Sequence, residues 1–168
     1  MLISERLAGE MNKQVGRELG ASNQYINIAA YFDSESLPEL AGFFYRQADE
    51  ERMHAMKFVH YIVEAGGKVT VPAVDEPVAE IQSAEHAVKL SLDWELEVTN
   101  QINNLMNMAI EEKDHIGQDF LRWFVHEQLE EVSTMDELLT VVRRAGEMGL
   151  LHVEAYLVRR GDPHAQDE

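Results

Sequence analysis

The sequence predicts an all-α fold, in which a bundle of four long helices is followed by a short fifth helix. Apolar residues recur three and four positions apart along four long segments, as in helices that pack against a core. Alternating apolar and polar residues, the pattern of a strand, are nearly absent. The prolines fall at the start of a segment, between segments or after the last one, and they are Pro38, Pro72, Pro77 and Pro163.

The helix boundaries follow from local signals. Pro38 suits the first turn of a helix, and Gly66 and Gly67 suit the end of the same helix. A short turn at Lys113, Asp114 and His115 separates the third segment from the fourth. The sequence therefore predicts helices over residues 4–33, 38–66, 84–112, 116–144 and 147–159.

The lengths of the connections predict the topology. Short loops after the first and third helices favour antiparallel hairpins. The stretch 66–83 could span about 59 Å when extended, whereas a helix of about 28 residues is about 42 Å long. This stretch can therefore cross the length of the bundle, so that the second and third helices run parallel. We expect one domain over residues 1–160 and a polar tail over 161–168.

Three glycines lie in the interior of the first predicted helix, at Gly9, Gly16 and Gly20. Each costs about 1 kcal/mol relative to alanine in a helix interior. Close packing against a neighbouring subunit would explain them, and so would a tolerant surface.

The charge of the chain restricts its partners. The 168 residues include 31 acidic side chains and 14 Lys plus Arg, and the formal net charge is −17. Nucleic acids and anionic membranes would repel such a surface, whereas cations would be attracted. The chain has no cysteine, so a metal site has to use His, Glu, Asp or Gln ligands.

Two further features favour a soluble, cytoplasmic protein. The residues after Met1 lack the basic and then apolar pattern of a signal peptide. No stretch approaches the roughly 18 consecutive apolar residues of a membrane span.

Polar residues interrupt the apolar stripe of each predicted helix near its middle. They are Glu18, Glu51, His54, Glu95, Gln128 and Glu131. Because the midpoints of antiparallel helices meet, these side chains should form one layer of the core. Buried ionised carboxylates repel each other and lose hydration, so they either protonate or bind cations.

The composition of this layer favours a pair of first-row metal ions. No Lys or Arg lies on the stripes at this height to neutralise the acids. Glu51 and His54 are spaced i, i+3 and can bind one ion together, and Glu51 sits where a bridging carboxylate would lie. A displaced stripe of solvated residues is the alternative, but four helices interrupted at the same height argue against it.

Three more acids, Glu50, Glu127 and Glu130, flank the layer in the sequence. They allow a third, weaker metal site at its edge. From the residues alone, an ordinary solvated acidic face is the favoured interpretation.

The sequence resembles the non-haem bacterial ferritins, especially those of actinobacteria, over essentially its whole length. The matching motifs, in order, are Arg17-Glu18-Leu19, Gln24-Tyr25, Glu50-Glu51-Arg52-Met53-His54, Trp94-Glu95 and Trp123-Phe124-Val125-His126-Glu127-Gln128-Leu129-Glu130-Glu131. The resemblance implies a ferritin-like fold, a shell of 24 subunits, and oxidation of Fe(II) by O₂ or H₂O₂ before storage as a ferric mineral.

The resemblance also implies roles for individual residues at a di-iron ferroxidase centre. Glu18, Glu51 and His54 would bind the first iron. Glu51, as the bridge, would bind the second iron together with Glu95 and Glu131. Gln128 would hydrogen-bond nearby, and Tyr25 would lie beside the centre. Glu50, Glu127, Glu130 and Glu131 would form the third iron site.

Two departures argue against haem. Haem-binding relatives carry a methionine directly after the bridging glutamate, where this chain has Arg52. They also carry a second Glu-x-x-His motif in the fourth helix, where this chain has Gln128 and Glu131. The remaining alternatives are a haem bacterioferritin, another di-metal enzyme such as a rubrerythrin-like peroxidase or a manganese catalase, and a non-enzymatic acidic bundle. The resemblance leaves the route of iron entry open. In animal ferritins two acids line the threefold pore. Asp119 matches one of them, and Arg122 stands where the other would be.

Overall fold

A computed structural model describes residues 2–161 and confirms the all-α class. The long helices are α1 (Glu5–Ser34), α2 (Pro38–Glu64), α3 (Ala84–Glu111) and α4 (His115–Ala145), and the short helix is α5 (Leu150–Arg160). A single 3₁₀ turn, Glu147–Gly149, precedes α5. The described residues contain no strand, and within 2–161 no helix has both the length and the apolar content needed to cross a membrane. Apart from Gly161, the predicted polar tail lies outside the described residues.

Polar side chains cap the beginnings of three helices, as their positions in the sequence require. The hydroxyl of Ser4 accepts a hydrogen bond from the N–H of Leu7 at 3.0 Å, and Ser83 caps α3 in the same way. The carboxylate of Asp114 caps α4. These caps satisfy backbone donors that have no partner inside the helix, so the observed helix starts agree with the predicted ones.

Contacts at the ends of the helices confirm the predicted topology. The N–H of Leu2 bonds the carbonyl of Ala65 at 2.8 Å, so the start of α1 lies beside the end of α2. Arg6 pairs with Glu111 at 3.2 Å, so the same end of the bundle also holds the end of α3. Helices α2 and α3 are therefore parallel, and residues 65–83 form the long crossover.

The crossover lies along α1. The side chain of Asn12 accepts from the N–H of Thr70 at 2.7 Å and donates to a carbonyl of the crossover. Further along, Gln24 accepts from the N–H of Val78 at 2.7 Å and donates to its carbonyl at 3.2 Å. Two side-chain amides thus fasten the crossover to α1 at points about 18 Å apart along the helix.

Gly16 lies between these two fastening points, and the crossover explains it. A Cβ atom on Gly16 would lie 2.4 Å from Cγ of Pro72, far inside van der Waals contact. The close packing expected around this glycine therefore occurs within the chain. Gly9, in contrast, has open space around its Cβ position.

The apolar core consists of two clusters, one towards each end of the bundle. One contains Phe32 and Phe44, and the other contains Phe58 and Phe124. On each long helix, a buried carboxylate lies between a residue of one cluster and a residue of the other. The bundle therefore has a polar layer between two apolar halves, as the interrupted stripes predict.

Helix α5 packs against one end of the bundle through Val153 and Leu157, which belong to the first cluster. The carboxylate of Glu154 accepts hydrogen bonds from the N–H groups of Glu39 and Leu40, both at 2.9 Å. Because these N–H groups belong to the first turn of α2, Glu154 caps that helix. Helix α5 is thereby fixed across the start of α2.

Candidate metal centre

Each of the four long helices contributes one buried carboxylate to the polar layer. Glu18, Glu51, Glu95 and Glu131 come from α1, α2, α3 and α4, and His54 comes from α2. Their exposed fractions lie between 0% and 2%. Four acids and one imidazole thus share a core layer from which solvent is nearly excluded.

One group of potential ligands forms around His54 on its Nδ1 side. Glu18, Glu51 and His54 each offer one ligand atom, and these atoms all lie within 4.8 Å of one another. The distance from His54 Nδ1 to Glu51 Oε2 is 3.4 Å. The i, i+3 spacing on α2 therefore brings both side chains to the same point, opposite Glu18.

A second group forms on the other side of the imidazole. His54, Glu127 and Glu131 also offer atoms within 4.8 Å of one another, and His54 Nε2 is 3.8 Å from Glu127 Oε1. Glu127, which sequence reasoning assigned only to the third iron site, therefore also faces the central histidine.

Glu95 does not belong to either group, and its carboxylate accepts hydrogen bonds from neighbouring side chains. The hydroxyl of Tyr25 donates to its Oε1, and Nε2 of Gln128 donates to its Oε2 at 3.4 Å. Thr99 in turn donates to Gln128 Oε1 at 3.0 Å. The structure thus places Tyr25 and Gln128 beside the layer, as expected, and adds Thr99 as the residue that orients Gln128.

Gln14 is a further site residue that sequence reasoning did not single out. It is fully buried, and its Nε2 donates to Glu18 Oε1 at 2.8 Å. Arg17 donates to Gln14 Oε1 at 3.0 Å. The available signal was its position, since Gln14 lies four residues before Glu18 on the stripe of α1, within hydrogen-bonding reach.

Several buried atoms of the layer have no hydrogen-bond partner among residues 2–161. They are Glu18 Oε2, Glu131 Oε1 and His54 Nε2. An unsatisfied buried polar atom costs about 1–3 kcal/mol, so three in one layer indicate an occupant that these atoms would contact. A divalent first-row ion fits, because carboxylate oxygen and imidazole nitrogen are both suitable ligands for it.

Burial and mutual repulsion change the protonation of the acids. Burial, followed by the charge of Glu95, raises the pKa of Glu51 and of Glu131 well above the ordinary range. Burial also raises the pKa of Glu95 to about 7. Burial alone would lower the pKa of His54, but the carboxylates of Glu127 and Glu51 outweigh it and raise the pKa. The metal-free layer therefore holds protons that a bound cation would displace.

The flanking acids Glu50, Glu127 and Glu130 lie at the edge of the layer. Glu50 and Glu127 are half-buried and Glu130 is exposed. The charges of Glu50 and Glu127 contribute to the raised pKa of Glu131. Glu50, Glu130 and Glu131 line a common cavity of about 20 Å³. Glu127, the remaining acid predicted for the third site, does not line that cavity and instead lies near His54.

Comparison with known proteins assigns this architecture to a family. A family model described as a ferritin-like domain matches residues 9–145. Ferritin BfrB of Mycobacterium tuberculosis is 40% identical over 163 residues, which cover 92% of this chain and 90% of that protein. The bacterial non-heme ferritin of Staphylococcus aureus is 36% identical over 146 residues, which cover 87% of this chain and 88% of the relative.

Solved structures agree with the sequence matches. An open pore ferritin from the hyperthermophilic archaeon Archaeoglobus fulgidus superimposes with a TM-score of 0.89. It is 35% identical, and the alignment covers 93% of this chain and 96% of that one. The match extends over the four-helix bundle that holds the buried carboxylates. The chain therefore belongs to the ferritin family.

Proposed function

We propose that this protein stores iron and is a ferroxidase, with its di-iron centre in the ferritin-like domain of residues 1–160. The observation that carries the proposal is the layer of four buried carboxylates and one histidine, whose unpartnered atoms fit a cation. Membership of the ferritin family supports iron as that cation.

The proposed ligands divide between two iron positions. Glu18, Glu51 and His54 bind the first Fe(II), as their shared 4.8 Å grouping supports. Glu51 bridges to the second Fe(II), which Glu95 and Glu131 complete. Glu95 can ligate that ion while it still accepts hydrogen bonds from Tyr25 and Gln128, because a carboxylate offers about four lone-pair sites.

The third iron position uses Glu50, Glu127 and Glu130 together with Glu131. Its partly exposed acids would hold iron less tightly than the buried pair does, because water competes for the ion. We expect the protein to bind no haem, and its similarity to a protein named a non-heme ferritin supports this expectation.

The chemistry of the centre is electron transfer from its two substrate ions. Oxidation of two Fe(II) to two Fe(III) releases two electrons. These reduce O₂ to H₂O₂, or H₂O₂ to two H₂O, and two protons are consumed in either case. The anionic ligand set favours oxidation because it binds the more highly charged Fe(III) more strongly.

The Glu51→Ala variant tests the ferroxidase directly. We expect the near-ultraviolet absorbance of Fe(III) to rise rapidly when Fe(II) is mixed in air with the metal-free protein. The variant should lose this rapid phase, because the bridging position has no carboxylate. Glu64→Ala removes an exposed carboxylate from the same helix and should behave as the wild type. Equal rates in all three proteins, no faster than in buffer, would reject the proposal.

The mass of the assembly tests the shell. A homo-oligomer of 24 chains of 19.2 kDa has a mass of about 460 kDa. We expect light scattering on the column-purified protein to give this value. A dimer or hexamer would instead support a di-metal enzyme of the rubrerythrin type.

A further inference from the structure

The cavity beside Glu131 has one acidic wall. It lies between α2, α4 and α5, and its volume of about 20 Å³ is enough for a water molecule or a small cation. Glu50, Glu130 and Glu131 line this wall. These are three of the four acids of the proposed third iron site, so the cavity is part of that site.

The cavity also contains basic side chains, which the stripes of the four long helices did not reveal. Arg46 of α2 and Arg160, the last residue of α5, line it. Nη2 of Arg160 lies 3.3 Å from Glu137 Oε2 and donates to Thr134 Oγ1 at 3.4 Å. Nη1 of Arg160 is buried and finds no hydrogen-bond partner within residues 2–161.

Neighbouring residues hold Arg160 in this position. Glu137 also accepts a hydrogen bond from the hydroxyl of Tyr156 at 2.5 Å, and Tyr156 lies one turn before Arg160 on α5. The side chain of Arg160 is only 22% exposed, so its charge is screened less than that of a surface residue.

The same cavity contains unpartnered acceptors. Gln47 Oε1 and Glu131 Oε1 are buried, and the described part of the chain offers neither of them a hydrogen-bond donor. Both residues line the cavity. An entering cation would therefore find free oxygen atoms, and it would also approach the fixed positive charge of Arg160.

We propose that Arg160 is a built-in counter-cation that weakens iron binding at the third site. The inference rests on the proposed function, because it concerns how Fe(II) is distributed among sites of the same chain. The guanidinium offsets part of the carboxylate charge of the cavity. Iron at this position is therefore held loosely, while the two buried positions, which share Glu51 as a ligand, fill first.

Anaerobic titration of the metal-free, full-length protein with Fe(II), followed by calorimetry, tests the proposal. We expect the wild type to bind two equivalents tightly and a third weakly. In Arg160→Gln the dissociation constant of the third equivalent should fall on the order of tenfold, because one unit of positive charge is removed. The first two equivalents should change little.

Two variants distinguish charge from structure. Arg160→Lys keeps the positive charge and should keep the weak third equivalent. Arg159→Gln removes the same charge from the neighbouring, exposed position of α5 and should titrate as the wild type. If Arg160 only held α5 against the bundle, Arg160→Lys and Arg160→Gln would have the same affinity for the third equivalent of Fe(II). If Arg160→Gln loses helix content, Arg160→Met, which retains the length of the aliphatic stem, is titrated in its place.

The outcomes separate this inference from the proposed function. A third equivalent of unchanged or weaker affinity in Arg160→Gln, with the two tight equivalents intact, overturns the role of Arg160 alone. Absence of two tight equivalents in the wild type overturns the di-iron centre, and the inference with it.

Discussion

Glu95 shows how a single residue of the layer combines opposing effects. Burial removes its carboxylate from water and raises its pKa, whereas the hydrogen bond from Tyr25 lowers the pKa, and the resulting value is about 7. The unfolded chain exposes the same group, which then titrates at its ordinary value of 4.5. Between these two values the folded protein holds a proton that the unfolded chain releases, so folding and protonation are linked.

The metal-free protein should therefore lose stability as the pH rises from about 4.5 to about 7, and Glu95 contributes to that loss. The sign follows because the native state binds more protons than the unfolded state in this range. We expect Glu95→Gln to reduce the loss by up to about 3 kcal/mol. The free energy of unfolding is measured by urea titration in the presence of a chelator, at one protein concentration, at pH 5 and pH 8.

Glu97→Gln is the matched control, because Glu97 is an exposed carboxylate on the same helix. It should retain the full pH dependence of the wild type. An equally steep loss in Glu95→Gln would mean that Glu95 is already ionised in the metal-free fold at pH 5.

The residues of the buried layer were predicted from the sequence because they lie on regular helical stripes, whereas the flanking acids were assigned to a site only through the family resemblance. Glu51 and His54 share one face of α2 whatever surrounds them, so their spacing alone predicts their proximity. Thr99 was not singled out because its role depends on the rotamer of Gln128, on another helix. Arg160 was not foreseen because no sequence period encodes which residues of α4 the short helix α5 packs against.

At the scale of elements, the crossover was predicted by its length but its path was not. A stretch of 18 residues is long enough to run beside any of the four long helices. The path along α1 depends on two side-chain amides, Asn12 and Gln24, and on the absence of a side chain at Gly16. The sequence alone indicates that Gly16 could be closely packed, but neither it nor the two amides indicates that the crossover is what packs there.

Gly16→Ala and Gly9→Ala form a matched pair that tests this packing. Alanine favours a helix interior over glycine by about 1 kcal/mol, and Gly9 has space for a methyl group, so Gly9→Ala should stabilise by up to that amount. At Gly16 the methyl group would lie 2.4 Å from Pro72 Cγ. We expect Gly16→Ala to destabilise by about 1–3 kcal/mol, because the fastened crossover has to move.

Urea unfolding of both variants, beside the wild type at one pH, measures the difference. Equal stabilisation by the two substitutions would show that the crossover moves away from the new methyl group without loss of stability, and that it is not tightly held against α1.

At the scale of the whole molecule, the acidic side chains fall into two groups, one buried in the layer and one exposed on the surface. The carboxylates of the layer are buried and bind cations through short contacts. Most of the other acids that make up the net charge of −17 lie in exposed positions, where they create a long-range field. Because salt screens exposed charges far more than buried ones, ionic strength separates the two contributions.

Raising the salt concentration should therefore slow the capture of Fe(II) but not its oxidation. The Debye length falls from about 30 Å at 0.01 M salt to about 10 Å at 0.1 M, and the attraction of the surface for Fe(II) falls with it. We expect the initial rate of oxidation at limiting Fe(II) to drop severalfold over this range, because steering changes association rates by about tenfold or more. At saturating Fe(II) the rate should stay nearly constant, because the buried carboxylates of the centre are shielded from salt. An increase in KM at constant kcat is thus the expected signature of surface steering. A fall in kcat alone would place the salt effect at the centre itself, and steering by the acidic surface would then be rejected.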